Sequence, residues 1–182
     1  MVNQVVLLAG GKGTRMRELT EVIPKPMVEV GNYPVLQHLI DIFENFNNFN
    51  YLVATGYKSE IIEKHFSNAN NIKTIQTGEE TNTGGRVFKL ANLLEDTFIV
   101  TYGDGLANVN IKSLIEFHES HEKLGTVTVT NPVSRFGLVE FDGDYTVNKF
   151  IEKPKLDGYV NIGFMVFDKS FLEYLDEKST LE

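Results

Sequence analysis

The hydrophobic pattern alternates between short apolar runs and longer amphipathic stretches. The runs Val5–Leu8, Tyr51–Thr55 and Thr97–Thr101 are largely apolar, which is typical of strands buried on both faces of a parallel sheet. Between such runs, apolar residues recur at helical spacing, as they do from Leu36 to Phe46. This alternation predicts an α/β fold in which helices cover both faces of a mixed, mostly parallel sheet.

The same pattern gives approximate bounds for the elements. Strands are predicted at 5–8, 28–30, 51–55, 72–76 and 97–101, with helices near 36–46, 59–65, 87–94 and 111–124. Pro34 suits the first turn of the first helix, and Ser59 suits the N-cap of the second. Four strand-like segments follow at 126–130, 138–141, 147–152 and 161–167, then a short helix at 169–175. They predict antiparallel additions to the sheet or a mixed edge, within a single domain that spans residues 1–182.

Three glycines, Gly10, Gly11 and Gly13, come directly after the first strand. Glycine allows positive φ and close approach to the backbone, and successive N–H groups of such a turn can hold an anion. Lys12 and Arg15 add positive charge, and a guanidinium makes forked contacts with phosphate. The stretch therefore predicts a phosphate-binding turn, with an ordinary strand-to-helix turn as the alternative.

The turn matches neither of the two common phosphate-binding patterns. The P-loop needs Lys-Ser or Lys-Thr directly after the second glycine of G-x-x-x-x-G, which is absent, and in G-x-G-x-x-G the third glycine is replaced by Met16. A P-loop NTPase is therefore disfavoured.

Composition and charge narrow the class further. The chain has 182 residues, 42% of them hydrophobic and 23% charged, as in a globular domain. It has no cysteine, which excludes disulfides and thiolate chemistry. A net charge of −8 disfavours nonspecific binding to nucleic acid, and no apolar run approaches membrane-spanning length. We expect a cytoplasmic protein with neither a nucleic-acid nor a membrane partner.

Asp104 stands between Gly103 and Gly105 at the end of an apolar strand. A carboxylate there can bind Mg²⁺, which prefers one or two carboxylates together with phosphate oxygens. The alternative is a turn aspartate that satisfies backbone donors. If the strands before Asp104 and before the glycine turn are neighbours, both loops open on one crevice.

Three further cations are candidates for anion contacts. Arg86 is predicted to begin a helix after two glycines, where free N–H groups favour anions. Lys25 is held between two prolines, and Lys153 follows the end of a predicted strand. Each could instead be a solvated surface residue.

These motifs together resemble the sugar-phosphate nucleotidyltransferases, or pyrophosphorylases. The resemblance begins at 8–15 and at Pro24-Lys25-Pro26-Met27, and it covers nearly the whole chain. Motifs further along are similar to the cytidylyltransferase branch typified by glucose-1-phosphate cytidylyltransferase; they are Thr77-Gly78, Thr83-Gly84-Gly85-Arg86, Tyr102-Gly103-Asp104-Gly105, Arg135-Phe136-Gly137 and Glu152-Lys153-Pro154-Lys155. The resemblance implies a three-layer Rossmann-like fold, CTP as donor, Mg²⁺ as cofactor and pyrophosphate as leaving group.

The resemblance also implies roles for individual residues. Arg15, Lys25 and Asp104 would be catalytic, with Asp104 binding Mg²⁺, and Lys153 and Asn161 would face the acceptor. The residues implied to bind the nucleotide are Leu8, Ala9, Gly10, Gly11, Gly13, Thr14, Arg15, Thr81, Gly85, Arg86 and Gly103. The expected partners are CTP, a small phosphorylated acceptor and further copies of the chain in a dimer or larger homo-oligomer.

Two departures bear on the substrate. The glucose-1-phosphate enzymes carry an extra segment after the position of Phe66, and their second metal-binding aspartate comes from beyond the position of Glu182. The compact form is similar to cytidylyltransferases of capsule modification, so L-glutamine phosphate is the expected acceptor in capsule phosphoramidate biosynthesis. The alternatives are glucose 1-phosphate or another sugar phosphate, and a nucleotide-binding subunit without catalysis.

Overall fold

A computed structural model describes residues 2–13 and 20–181. Its strands are β1 (Gln4–Leu8), β2 (Glu29–Val30), β3 (Tyr33–Pro34), β4 (Asn50–Thr55), β5 (Ile72–Gln76), β6 (Thr97–Tyr102), β7 (Gly125–Thr130), β8 (Leu138–Phe141), β9 (Val147–Ile151) and β10 (Val160–Asp168). Its α-helices are α1 (Val35–Glu44), α2 (Ser59–His65), α3 (Thr83–Lys89) and α4 (Ile111–Glu119), with 3-10 turns at Lys25–Met27 and Lys169–Tyr174.

The central sheet has six strands in the order β5-β4-β1-β6-β10-β7. The pairs β1–β4, β1–β6 and β4–β5 are parallel, whereas β10 runs antiparallel to β6. The mixed, mostly parallel sheet is therefore confirmed, and β10 confirms an antiparallel addition to it, whereas β8 and β9 pair with each other in a separate two-stranded sheet. The chain moves outward from β1 to β4 and β5 and then returns to β6 on the other side of β1. Ligands of open α/β sheets bind at such a reversal, outside the carboxyl ends of the strands.

Each face of this sheet is covered by its own apolar cluster. In β1, Val5 and Leu7 face one cluster and Val6 and Leu8 face the other, because successive side chains of a strand point to opposite faces. The first cluster includes buried residues of α1, α2 and α4, and the second includes those of α3 with partly buried residues of 171–175. This arrangement confirms helices on both faces and explains why the strand is apolar at every position.

Two helix starts differ from their predictions. Ser59 is the first residue of α2 and is buried, while the N-cap position belongs to Lys58, whose φ is 51°. Pro34 precedes α1 as its N-cap.

Helix α3 begins at Thr83, so Arg86 lies inside the helix and the prediction that it begins one is wrong. The cause is tertiary: the backbone of 177–179 packs on Gly84 and Gly85 and overrides the low helix propensity of glycine.

Three helices end earlier than predicted, and a fourth predicted helix takes another form. Helix α1 ends at Glu44, so Phe46 leaves the buried stripe and is 45% exposed. Helix α4 ends at Glu119 rather than near 124, because the Ser120 hydroxyl donates to the Phe117 carbonyl at 2.7 Å and closes the last turn locally. Helix α3 ends at Lys89. The final predicted helix is a 3-10 turn, Lys169–Tyr174.

Contacts between Cα atoms divide the chain into two compact units. The first comprises residues 1–127 and 163–182, and the second comprises residues 128–162. The second unit contains the antiparallel hairpin β8–β9. The single domain stays a prediction. No helix in the described ranges is long and apolar enough to cross a membrane.

Candidate active site

A cavity of about 680 Å³ opens at the carboxyl ends of β1 and β6, entirely within the first unit. The adjacency of these strands fulfils the condition under which the glycine turn and Asp104 share one crevice. Of the predicted site residues, nine line the cavity: Leu8, Ala9, Gly10, Gly11, Gly13, Lys25, Thr81, Arg86 and Asp104. The other lining residues are Lys12, Pro26, Glu79, Glu80, Asn82, Thr83, Tyr102 and Thr180.

The glycine turn forms one wall, and two of its glycines are required by geometry. Gly13 has φ of 62°, and a Cβ there would lie 2.9 Å from the Cβ of Lys25. A Cβ on Gly10 would lie 1.9 Å from Nη1 of Arg86. The turn therefore follows this path because both positions lack a side chain.

Lys25 and Asp104 form an ion pair of 2.5 Å between Nζ and Oδ2, and both side chains are partly buried. The prolines on either side of Lys25 place it there: Met27 donates its backbone N–H to the Pro24 carbonyl at 2.8 Å, and Pro26 and Met27 are buried. Lys25 and Pro26 of this 3-10 turn both line the cavity, and Lys25 is the charged residue of the two. The pair joins the turn to the end of β6 across the crevice.

The donor set at Asp104 fits a magnesium ion. A partly buried carboxylate faces a cavity that also holds a lysine and a turn rich in backbone N–H groups. Mg²⁺ binds through one or two carboxylates, with phosphate oxygens and water completing its octahedron. Within the described ranges no cluster of three acidic or histidine side chains is arranged to hold a metal. A phosphate bound in the cavity would supply further oxygen ligands to a metal at Asp104.

A second charged pair, Lys12 with Glu80, spans the mouth of the cavity, and both side chains are exposed. The hydrogen bond and the charge of Glu80 raise the pKa of Lys12, and those of Lys12 lower the pKa of Glu80. The glycine turn is thus tied to the loop between β5 and α3.

Arg86 is buried behind this loop with 3% of its surface exposed. Its Nη1 donates to the carbonyls of Thr55 and Gly78 and to the Thr77 hydroxyl, at 3.1, 2.8 and 2.6 Å, and its Nη2 donates to the Glu79 carbonyl at 3.2 Å. Burial lowers the pKa of the guanidinium. The side chain meets the cavity from inside the fold, and nucleotide contact through Arg86 stays a prediction.

The other predicted residues fall into three groups. Gly85 does not reach the cavity: its N–H donates to the Ser179 carbonyl at 2.9 Å. Gly103 donates to the Leu8 carbonyl at 2.9 Å and lies behind the cavity lining. Lys153 and Asn161 belong to the second unit. Thr14 and Arg15 lie outside the described residues.

Sequence reasoning missed several cavity residues. Asn82, Thr83 and Thr180 meet there because Asn82 Nδ2 donates to the Lys178 carbonyl and Leu181 N–H donates to Thr83 Oγ1, both at 2.9 Å. The partners in these two hydrogen bonds are 96 and 98 residues apart in the sequence. No local sequence pattern indicates a contact over such a separation. Tyr102 did carry a signal, since it directly precedes the Gly103-Asp104 motif.

Comparison with known proteins decides the family. The profile of the family described as "Nucleotidyl transferase" matches residues 4–182. The chain belongs to this family. It is accordingly a nucleotidyltransferase, and the resemblance indicated by the motifs is confirmed.

Relatives and solved structures agree with this assignment. Glucose-1-phosphate cytidylyltransferase of Salmonella typhi is 35% identical over 205 residues, which cover 97% of this chain and 79% of the relative. A probable glucose-1-phosphate cytidylyltransferase of Bacillus subtilis is 34% identical over 94% of this chain and 77% of its own. The crystal structure of HddC from Yersinia pseudotuberculosis in complex with GMP-PN matches with a TM-score of 0.74 and 28% identity, over 100% of this chain and 84% of HddC. The Rossmann-like nucleotidyltransferase fold is thereby confirmed.

Proposed function

We propose that this nucleotidyltransferase transfers CMP from CTP to a sugar 1-phosphate and releases pyrophosphate. The observation that carries the proposal is the meeting of the glycine turn with the Lys25–Asp104 pair at the carboxyl ends of β1 and β6. Cytosine as the base and a sugar phosphate as the acceptor are supported by the relatives that are about one-third identical and named for that reaction.

In this proposal the chain binds the triphosphate through the backbone of the glycine turn and the charge of Lys25. A phosphate oxygen of the acceptor attacks the α-phosphorus, and the bond to the pyrophosphate oxygen breaks. A phosphate with a second pKa of about 6 is already largely dianionic at neutral pH, so the protein needs neither its own nucleophile nor a general base. Alignment and neutralisation of charge are the tasks left to its side chains.

Asp104 is the residue of the described chain that would hold Mg²⁺, together with oxygens of the bound phosphates. When bound, the ion supplies positive charge to the phosphate oxygens. The 2.5 Å contact to Asp104 holds Lys25 in the cavity before any anion arrives. Lys25 would turn from Asp104 to the phosphate when nucleotide enters.

A second candidate acceptor is L-glutamine phosphate. Helix α2 ends just before Phe66. In this chain only five residues, Ser67–Asn71, connect Phe66 with the start of β5. The alignment with the Salmonella typhi enzyme extends over 205 residues although this chain has 182, so the relative carries insertions within the matched region. A more compact chain favours a different, smaller acceptor.

The remaining sequence predictions belong to the same proposal. Thr14 and Arg15 would hold the nucleotide phosphates, with Arg15 catalytic, Thr81 and Arg86 would face the nucleotide, and Lys153 and Asn161 would face the acceptor. Gly85 and Gly103 would act only through the backbone that they support. We also propose a homo-oligomer. A nucleotide-binding subunit without catalysis is the competing class.

The test combines four nucleotides with a panel of acceptors. CTP, UTP, GTP and dTTP are each incubated with Mg²⁺ and glucose 1-phosphate, other sugar 1-phosphates or L-glutamine phosphate, and pyrophosphate release is measured. We expect release with CTP and a sugar 1-phosphate. Release only with L-glutamine phosphate would show that this compound, and not a sugar 1-phosphate, is the acceptor. Release only with another nucleotide would show that the donor is not CTP. Calorimetric binding of CTP without release in any mixture would favour the non-catalytic subunit.

Asp104→Asn tests the metal ligand with little change in side-chain volume. We expect pyrophosphate release that depends on Mg²⁺ to fall by about three orders of magnitude, because charge stabilisation in the transition state is lost. Circular dichroism and the thermal midpoint should stay close to those of the parent, since Asp104 is partly exposed. Glu119→Gln, on the exposed end of α4, is the matched control. Near-normal turnover of Asp104→Asn would remove this residue from the mechanism.

A further inference from the structure

The guanidinium of Arg86 lies where three loops meet. The loops follow β1, β4 and β5, which are neighbours in the sheet, and each contributes a backbone segment within contact of this one side chain. Gly10 packs against the guanidinium face, as shown by the 1.9 and 2.3 Å at which an added Cβ would meet Nη1 and Cζ. The hydrogen bonds go instead to Thr55 and to the 77–79 loop.

These acceptors leave Arg86 with no acidic partner: within the described ranges no carboxylate forms an ion pair with it. Its bonds run to three backbone carbonyls and one hydroxyl, although it is almost fully buried. A buried cation without a counter-ion is costly unless its hydrogen bonds are satisfied. Here the hydrogen bonds to loop carbonyls offset the free-energy cost of burying the guanidinium. The order of the loops and the burial of Arg86 therefore depend on each other.

Neighbouring contacts extend the same network. Thr77 donates its hydroxyl and its N–H to the Thr55 carbonyl at 2.8 and 2.9 Å, and the Thr77 carbonyl accepts from Thr81 Oγ1 and from Lys89 Nζ. Gly56 fits between the loops, since an added Cβ would lie 2.7 Å from the carbonyl oxygens of both Gly10 and Gly78. The glycine turn and the loop that carries Glu79–Thr81 are therefore held in one register.

We infer that Arg86 is a positioning residue: it fixes the glycine turn and the 77–81 loop before nucleotide arrives, and it acts through their backbones. The inference rests on the proposed function for its kinetic consequences. A guanidinium is suited to this role because its planar fork can serve several carbonyls at once, whereas an ammonium is a single flexible point charge. Ordering the loops in advance removes an entropic cost from nucleotide binding.

The test compares Arg86→Lys and Arg86→Gln with Lys112→Gln, an exposed control on α4. Hydrogen exchange is measured first on the ligand-free proteins. We expect faster exchange of the Tyr57 N–H, which is bonded to the Gly10 carbonyl, and of the Thr77 N–H. The Ala9 N–H, bonded to the Ala54 carbonyl within the sheet, should stay protected. Saturating nucleotide should restore most of the lost protection.

Steady-state kinetics supply the second measurement. In Arg86→Lys we expect the nucleotide KM to rise by about tenfold or more because the loops must be ordered on binding, and the acceptor KM to stay within about twofold. In Arg86→Gln the nucleotide KM should rise further. Free guanidinium should partly restore an Arg86→Ala variant, because the space against Gly10 is shaped for that ion.

Two results would overturn the inference. A raised nucleotide KM with unchanged exchange in the ligand-free protein would show that Arg86 acts only by touching the nucleotide. Faster exchange throughout the sheet, with the acceptor KM and the thermal midpoint moving in parallel, would show a role in overall stability only. If the parent transfers no nucleotide, the exchange experiment still decides whether Arg86 orders these loops.

Discussion

The cavity holds two lysines, and each is paired with a carboxylate. Lys12 lies against Glu80 at the mouth, and Lys25 lies against Asp104 deeper in the crevice. Because the pKa of Lys12 is raised by its contact with Glu80, the lysine contributes to folding stability below its ordinary pKa of 10.5. That contribution is lost as the pH rises beyond this value. Because the pKa of Glu80 is lowered by its contact with Lys12, the carboxylate contributes to folding stability above its ordinary pKa of 4.5. That contribution is lost as the pH falls below this value. Between these limits the pair stays charged.

Glu80→Gln is therefore predicted to strengthen nucleotide binding. If the glycine turn binds the triphosphate as proposed, Glu80 would compete with the phosphates for Lys12, so its removal should lower the nucleotide KM by about two- to threefold at low salt. The gain should vanish at high salt. It should also vanish in a Lys12→Gln background, which serves as the control. A higher KM in Glu80→Gln would show instead that this carboxylate helps to hold the nucleotide.

Residue types were predictable from the sequence more readily than their partners were. The glycines of the turn after β1, together with Lys25 and Asp104, line the cavity as expected, because a motif fixes both the strand end and the residues that follow it. Arg86 was expected at a helix start, where it would contact an anion. Its burial against Gly10 and the 77–79 loop depends on residues distant in sequence, which periodicity does not reveal.

Helix α1 shows the same limit at the scale of an element. Its buried stripe, Leu36, Leu39, Ile40 and Phe43, follows the predicted helical spacing. Phe43 stacks on Phe164 of β10, with ring centroids 5.8 Å apart. The stripe stops where the helix stops, since the Asn-rich segment after Glu44 has low helix propensity. Periodicity extended the stripe to Phe46 because it does not detect a helix end by itself.

The pair Phe43→Ala and Phe46→Ala tests this boundary. Phe43 is fully buried, so its truncation should cost about 3–5 kcal/mol of unfolding free energy by leaving a cavity. Phe46 is 45% exposed, so the same truncation should cost less than about 1 kcal/mol. Urea denaturation of both variants measures the difference. Equal losses would place Phe46 in the core, contrary to this structure.

At the scale of the whole molecule, residues from both ends of the first unit build one site. The segment Asp176–Leu181 packs along the start of α3, where an added Cβ on Gly85 would lie 2.3 Å from the Glu177 carbonyl oxygen. Through these contacts Thr180 joins the cavity lining. The two glycines before Arg86 therefore serve the close approach of this segment.

Gly85→Ala is predicted to destabilise the protein although alanine normally favours a helix. The overlap with the Glu177 carbonyl should cost about 1–3 kcal/mol and loosen residues 176–181. Limited proteolysis should then cleave this segment sooner, and the thermal midpoint should fall. Gly143→Ala is the control, because an added Cβ there meets nothing within 4 Å. An unchanged midpoint in Gly85→Ala would contradict the packing described here.

The sequence by itself determined the α/β class, most of the sheet strands, the glycine turn and the identities of Lys25 and Asp104. These features are local, because strand burial, turn geometry and charge depend mainly on residues that are consecutive in the sequence. Only the tertiary structure decided that β1 and β6 are neighbours, that Arg86 lies inside a helix beneath three loops, and that Thr180 reaches the cavity. Each of these depends on pairing between residues far apart in the chain, and a linear pattern does not encode such pairing.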